Sequence, residues 1–441
     1  MVDLKRFVLH NWTMSDVHSR LEDLGAAIPE ILLPKKGIDL SKWAVVACDQ
    51  YTQDMNYWAE VKKTAGNAPS SYNLIFPEAY LLEKEGDSAK NLRVQQIKSS
   101  MNSYIYEDIF APKRHCSVYL ERSTSHNPIR RGLMLAIDLE RYDWAREARP
   151  LIRSTEGTMQ ERLPPRMAVR RGAPLELPHI LLLIDDEDDD LIPSLGAIAR
   201  KQPPLYDTPL MMKGGSVAGW ALDTEDSWTL LADGLEKLAK KAGKKYGSAS
   251  GECPFLFAVG DGNHSLAAAK AVWEEYKTNH AAEPGLENHP ARWALVELEN
   301  LYDPGIKFEP IHRVIFGVQP PELLEALSSL KDIKCSQDKQ DSRVIRIENL
   351  SSNIATVSLQ PLLDSFVKEK NSSIDYIHGE DEVFRLAGDS SRQVVGLILP
   401  PVKKDGLFKT IAQNGPLPRK SFSMGEAEEK RFYLECRRLF Y

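Results

Sequence analysis

Asp261 and His264 stand three residues apart in the stretch VGDGNHSLAAAK, Val259 to Lys270. A carboxylate and an imidazole at that spacing can orient a nucleophile, move a proton or touch a metal ion. The backbone around them supplies a place for a ligand. The apolar run from Pro254 ends in Gly-Asp-Gly, and an alanine-rich helical pattern begins at Asn263. A strand, a glycine turn and a helix start leave backbone N–H groups at the positive end of the helix dipole, where a phosphate is favoured. Gly260 and Gly262 let the backbone approach such an anion, and Asn263 is a good cap. An ordinary turn, cap and first-turn histidine account for the same letters equally well. A dinucleotide motif, G-x-G-x-x-G, is broken at Ser265.

A second group lies in RPLIRSTEGTMQERLPPRMAVRRGAPLELPH, Arg149 to His179. From Arg146 to Arg171 there are seven arginines and no lysine. The planar guanidinium suits two-point binding of phosphate or carboxylate. Arg153, Ser154, Thr155 and Glu156 fall on an expected loop, whereas a solvated, ion-paired arginine face is the plainer reading. Glu176 and His179 flank a proline before a strand that ends at Asp185 and Asp186. Those two carboxylates are candidate ligands for a divalent cation, although the acidic run Asp185–Asp190 lacks calcium-loop spacing and Glu187–Asp190 reads as solvated loop. A third group is LPRKSFSMGEAEEKRFYLECRRL. Ser423 and Glu426 have capping-box spacing, which predicts a helix packing Phe432, Tyr433, Cys436, Leu439 and Phe440. Arg419 and Lys420 lie in the loop before it, as anion contacts or as surface charge. GGSVAG resembles a nucleophile elbow only loosely, because Ala218 replaces the second glycine.

These residues need a scaffold. A chain of 441 residues exceeds what one core usually supports, so two domains are expected. With 42% hydrophobic and 27% charged residues the composition is globular. A net charge of -7 argues against general affinity for DNA, RNA or anionic membrane. No run is long and apolar enough for a membrane span, and the first residues lack a signal-peptide core. The five scattered cysteines form no C-x-x-C pair, which points to a reduced, cytoplasmic setting. Apolar runs at Lys42–Gln50, from Gly132, at His179–Asp186 and at Pro254–Gly262 read as strands. The helix from Asn263 carries Leu266, Ala269, Val272, Trp273 and Tyr276 on one stripe. Strands mixed with helices give an α/β or α+β core with a mixed sheet. Residues 240–253 and 277–290 read as linkers. The expected division is an N-terminal extension, 1–41, a core, 42–316, and a smaller C-terminal α/β part, 317–441, closing a cleft.

VACDQYTQDMNYWAEV, IRSTEGTMQERLPPR, LELPHILLLIDD, GDGNHSLAAAK, FEPIHRVIF and LPRKSFSMGEAEEKRFYLECR, in that order, resemble the DUF1015 family of prokaryotic proteins over about Lys42 to Arg438. The family is largely uncharacterised. Many members carry Asp-Gly-His-His-Arg where this chain has Asp261, Gly262, Asn263, His264 and Ser265. That signature is similar to the phosphate-binding turn of the ParB/sulfiredoxin-like superfamily, which includes partition proteins that hydrolyse nucleotides, sulfiredoxin and free-serine kinases. Asp261, Gly262 and His264 match it; Asn263 and Ser265 depart. The missing arginine would contact a phosphate, so the resemblance leaves Arg153, Arg313 or Arg419 to replace it.

What the resemblance implies is a phosphotransferase acting on a small polar metabolite such as serine, with ATP or ADP and Mg²⁺. Phosphate would sit on Gly262 to Ser265, Asp261 or Glu156 would activate the acceptor hydroxyl, and His264 would contact phosphate or shuttle a proton. A nucleotide-binding regulatory module without turnover is the alternative expected if Ser265 marks lost catalysis. A DNA-binding relative of the partition proteins is the other, against which the acidic balance counts.

Overall fold

A computed structural model describes residues 16–81, 86–246, 253–349, 358–389, 393–401, 403–418 and 420–440. The fold is mixed α/β, and the chain divides into two compact units. The first is residues 1–154, 158–306 and 427–441; the second is 155–157 and 307–426.

A mixed sheet of ten strands runs through the first unit. Its order is Tyr206–Pro209, Ser216–Leu222, Ser117–Ser123, Arg130–Asp138, Trp293–Asn300, Leu181–Ile184, Phe257–Asp261, Ile152–Ser154 and Tyr142–Asp143, with Ala26–Ala27 paired to Arg130–Asp138. The central strands are buried on both faces, so they read as continuous apolar runs such as Leu181–Ile184. Glu225–Tyr246 forms a long helix on this core. It buries Trp228, Leu231, Ala232, Leu235, Leu238, Ala239 and Ala242, a helical spacing. The Asn263–Asn279 helix buries Leu266, Ala269, Val272 and Trp273 as expected, and Ala267 and Ala268 besides. Those two small residues take Leu163 from the Leu163–Arg170 helix, with Met167 packed alongside.

The second unit carries its own six-stranded sheet, ordered Cys335–Gln337, Val344–Ile347, Val394–Ile398, Phe308–Phe316 and Ser373–His378, with Phe422–Met424 paired to the start of Phe308–Phe316. Alternate side chains feed opposite faces. Ile315, Val395 and Leu397 pack with Leu323, Leu327, Leu363 and Phe366, whereas Val314, Val394 and Ile398 pack with Val383 and Ala387. Helices Pro320–Ser328 and Gln360–Glu369 therefore cover one face and Glu380–Ala387 the other.

Several expectations are corrected here. Residues 16–41 are not an appendage: Val17, Leu21, Ala26, Ile28 and Ile31 are core, and Ala26 lies opposite Ile137. The division falls after Ile306, not at 316, and the last fifteen residues return to the first unit. Ser423 and Glu426 start no α-helix, and only a single 3-10 turn, Ala427–Glu429, follows them. Phe422–Met424, Phe432–Tyr433 and Arg437–Arg438 are short strands, the latter two pairing Val45–Val46 and Leu175–Glu176. The reason is burial all round. Phe432, Tyr433, Leu434 and Cys436 are enclosed, and so are Arg431, Glu435 and Arg437, held by ion pairs. A surface helix would have turned one face to water. Of Lys42–Gln50 only Val45–Val46 is strand, after a helical turn at Leu40–Trp43. Lys240–Tyr246 ends the long helix instead of starting a linker, and Ser216 opens a strand instead of an elbow.

Candidate functional site

The Gly-Asp-Gly-Asn turn is built as a strand end meeting a helix start. Phe257–Asp261 runs parallel to Ile152–Ser154, placing Ser154 beside Val259, and antiparallel to Leu181–Ile184, placing Leu181 beside Asp261. Gly262 takes φ 78° and ψ 25°, the left-handed region. A Cβ there would sit 3.1 Å from both Cα and Cγ1 of Ile180. Gly262, not Asn263, is therefore the cap residue. Asn263 begins the helix, and its side-chain amide donates to the Val259 carbonyl at 3.4 Å. The Asp261 carboxylate accepts its neighbour Gly262's N–H at 3.0 Å and lies 3.3 Å from the ammonium of Lys430. Lys430 has a side chain only 7% exposed, so this is an enclosed cation beside the turn.

His264 accepts the Met159 N–H on Nε2 at 3.2 Å, which puts the ring proton on Nδ1. Burial, then the charges of Arg162 and Arg166, push its pKa down to about 4 against the pull of Asp49. At neutral pH the ring is uncharged. It is a hydrogen-bonding group there and not a cation for phosphate.

The arginine-rich segment arrives through the Leu163–Arg170 helix. With Leu163 and Met167 against the alanines, Arg162 and Arg166 reach Glu78. Arg162 meets one carboxylate oxygen at 3.0 Å and Arg166 the other. Glu78 is nearly enclosed, and its N–H donates to the Cys48 carbonyl at 2.7 Å. This joins the arginines to the segment Cys48–Asp49.

His179 is the hub of the arrangement. Its Nε2 is 2.9 Å from the Ser265 hydroxyl and its Nδ1 is 2.8 Å from the Tyr433 hydroxyl. The Tyr433 oxygen also accepts the Cys48 N–H at 3.2 Å. The Asp49 carboxylate stands 3.9 Å from His179 Nε2. Burial acts to raise the Asp49 carboxyl, but His179, Arg166, a bond from Gln50 and Lys430 outweigh it and hold it below its ordinary value. Asp49 is thus a fixed negative charge beside the imidazole. Ser265, His179, Tyr433 and Cys48 all line a cavity of about 130 Å³, as do Glu78 and Arg166. Leu74, Phe76, Met101, Val169, Leu177 and Ala268 make much of its remaining wall. Glu176 also lines it, ion-paired to Arg170 and Arg437, which anchors the returning C-terminal segment.

Other residues singled out in the sequence go elsewhere. The Arg153 guanidinium lies over the Phe255 ring at 4.6 Å and donates to the Pro150 carbonyl, and Ser154 meets the Tyr142 hydroxyl at 2.9 Å. Thr155, Glu156, Arg313 and Lys420 belong to the second unit. There Glu156 accepts the Ser421 N–H at 3.3 Å, and the Thr155 carbonyl accepts that of Leu417 at 2.7 Å, which sets Glu156 alongside the segment carrying Lys420. Arg313 is 3% exposed; it bonds Gln360 and the Ile311 carbonyl and lies over the Tyr376 ring. Arg419 lies outside the described residues. Asp185 and Asp186 follow Leu181–Ile184, at the far end of that strand from Asp261. Asp185 accepts from Lys245, Tyr246 and Tyr302, and Asp186 accepts the N–H groups of Asp190 and Leu191. Among the described residues no group of three or more His, Cys, Asp or Glu could hold a metal ion.

Asp49, Glu78, Lys430 and Tyr433 were not recognisable as site residues from spacing. Asp49 and His179 each stood at the edge of a strand-like run, the one signal available. Glu78 is a lone charge between apolar residues, and Lys430 is one charge among several in Glu428–Arg431.

The fold and the turn define a mixed α/β protein with a polar cluster at a strand–turn–helix junction. The chain belongs to the DUF1015 family of proteins of unknown function, whose model matches residues 32–404. No curated protein matches it. Among solved structures it is similar to a conserved hypothetical protein from Pyrococcus furiosus, at 10% identity, with 68% of this chain and 90% of that one covered and a TM-score of 0.29. It is also similar to a free serine kinase in complex with AMP, at 10% identity, 69% and 92% coverage and a TM-score of 0.33. Scores that low carry no weight for activity. No helix among the described residues is long and apolar enough to cross a membrane.

Proposed function

We propose that the first unit binds the phosphates of a nucleotide at the Gly262 turn and transfers a phosphoryl group to a small polar metabolite. The observation that carries this reading is the gathering of Lys430, Arg162 and Arg166 around the start of the Asn263–Asn279 helix, each held by a carboxylate. A helix N-terminus with a left-handed glycine favours an anion, and cations already held nearby can exchange a carboxylate for a phosphate oxygen with little reorganisation. Asp261, relieved of Lys430 by the phosphate, would orient the acceptor hydroxyl. The described residues offer no protein-only metal cage. Mg²⁺ would fit here only as the nucleotide complex, held by phosphate oxygens and one or two carboxylates such as Asp261 and Asp49, where it supplies charge neutralisation.

One observation favours the second reading, nucleotide binding without turnover. His264 is neutral and its Nε2 is taken by the Met159 amide, so it has neither an imidazolium proton to give nor a free lone pair to take one at neutral pH. The test is a thermal-shift titration with ATP, ADP and AMP, with and without Mg²⁺, beside a turnover assay over small hydroxy metabolites. Stabilisation that grows with nucleotide concentration supports binding, since a ligand of the native state raises apparent stability. Lys430→Met should weaken it by about tenfold or more. Binding with no nucleotide consumed selects the second reading, and no stabilisation by any nucleotide removes both.

A further inference from the structure

We propose that Ser265 is a nucleophile and His179 its general base, and that the pair acts on an ester or related acyl compound whose acyl group enters the apolar cavity. The inference goes beyond the nucleotide reading and needs no nucleotide.

The geometry is that of an activated hydroxyl. Ser265 Oγ lies 2.9 Å from His179 Nε2, within reach for proton transfer. The other ring nitrogen meets the Tyr433 hydroxyl at 2.8 Å, and the two rings cross at 84°. This contact holds the imidazole in place, and in the tautomer the proposal requires Nδ1–H donates to the phenol oxygen and leaves Nε2 open to accept. The phenol replaces the carboxylate that usually orients such a base. The negative charge comes instead from Asp49, 3.9 Å from Nε2, which stabilises the imidazolium once it forms. His179 and Tyr433 are both enclosed, so neither is positioned by solvent.

The surroundings match the chemistry. Ser265 sits in the first turn of a seventeen-residue helix, whose positive end favours a developing oxyanion. Ser265, His179 and Tyr433 face the same cavity, whose walls include Leu74, Phe76 and Met101. The wall is mostly apolar, and its charged members are paired with one another, Arg166 with Glu78 and Arg170 with Glu176, which suits a short acyl or aryl group. A serine that merely satisfied a buried histidine would need no such opening.

The step balances without a further reactant. Ser265 Oγ attacks the carbonyl carbon while its proton passes to His179 Nε2, and the carbonyl π pair becomes the oxyanion. Collapse re-forms the C=O bond, breaks the bond to the leaving alkoxide and returns the proton from His179 to that oxygen. Water, deprotonated by His179, then attacks the acyl carbon, and collapse breaks the bond to Ser265 Oγ, which takes the proton back from His179 as the acid leaves.

An alkyl fluorophosphonate tests this with the full chain. Attack by Ser265 forms the O–P bond, expels fluoride and leaves the proton on His179. Intact mass and peptide mapping should show one adduct, on Ser265. Ser265→Ala should abolish it, and His179→Gln should slow labelling by about a hundredfold. Both variants are to be checked for parental melting. Tyr433→Phe keeps the packing but loses the hydroxyl, so it should slow labelling at the same pH without moving the adduct. If His179→Gln unfolds, Tyr433→Phe carries the test of the relay. Absence of an adduct on the folded parent, under conditions that fully label a known serine esterase, overturns the proposal. So does an adduct that persists in Ser265→Ala. A nucleotide shift that survives either result leaves the phosphotransfer reading standing by itself.

Discussion

Acidification is expected to destabilise the first unit through His264, and the size of the effect follows from the ring's surroundings. Burial and the arginines at positions 162 and 166 hold its pKa at about 4, against an ordinary value of 6.5. The folded value is the lower one. The unfolded chain therefore binds the proton first, and the stabilisation is complete above pH 6.5 and lost as pH falls towards 4. Each pH unit of the gap is worth about 1.4 kcal/mol, so roughly 2 kcal/mol has gone by pH 5 and about 3 kcal/mol below pH 4. His264→Gln isolates this share, because the Gln carbonyl can still accept the Met159 N–H and carries no titrating group. The readout is unusually clean: all eight tryptophans lie outside residues 307–426. Urea unfolding followed by tryptophan fluorescence thus reports the first unit, while His312, which burial also pushes down to about 4, belongs to the second. Between pH 7.5 and pH 5 the variant should lose about 2 kcal/mol less than the parent. Equal losses in the two proteins would refute the claim that His264 is held neutral by burial and its arginine neighbours.

Two further outcomes follow from the packing. Gly262→Ala forces a side chain into the left-handed region against Ile180, so it should cost on the order of 1 to 3 kcal/mol in a urea melt and abolish any nucleotide-induced thermal shift. Ending the chain after Glu426 removes Phe432, Tyr433, Leu434, Cys436 and Leu439 from the core and strips Arg431 and Arg437 from Glu297 and Glu176. Unpaired buried carboxylates and the lost apolar area should leave no cooperative tryptophan transition, so a truncated chain that melts like the parent would show the segment to be dispensable.

The extent to which the site was readable follows from how local each feature is. The turn at 260–263 was legible because strand, glycine and helix start are all set by neighbours in the chain. Even there the cap was misassigned to Asn263, since the steric space beside Gly262 is set by Ile180, over eighty residues away. The arginine run was legible as a cluster, but not its division of labour. Arg162 and Arg166 turn to Glu78 because Leu163 and Met167 dock on Ala267 and Ala268, whereas Arg153 is drawn off to Phe255 and Pro150.

By itself the sequence determined the mixed α/β class, three buried strands, Arg130–Asp138, Leu181–Ile184 and Phe257–Asp261, and the stripe of the Asn263–Asn279 helix, because period and apolarity are local properties. It also carried the family, through several motifs in one order. Tertiary structure alone decided that the last fifteen residues belong to the first unit and that Phe432–Tyr433 and Arg437–Arg438 in them are strands. Their fit depends on Glu297 and Glu176, partners more than a hundred residues away that neutralise Arg431 and Arg437 in the interior. Tertiary structure alone also put Ser265 against His179, and His179 against Tyr433 and Asp49. Those four residues come from four separate stretches of chain, and only the packing of the elements that carry them makes their side chains neighbours.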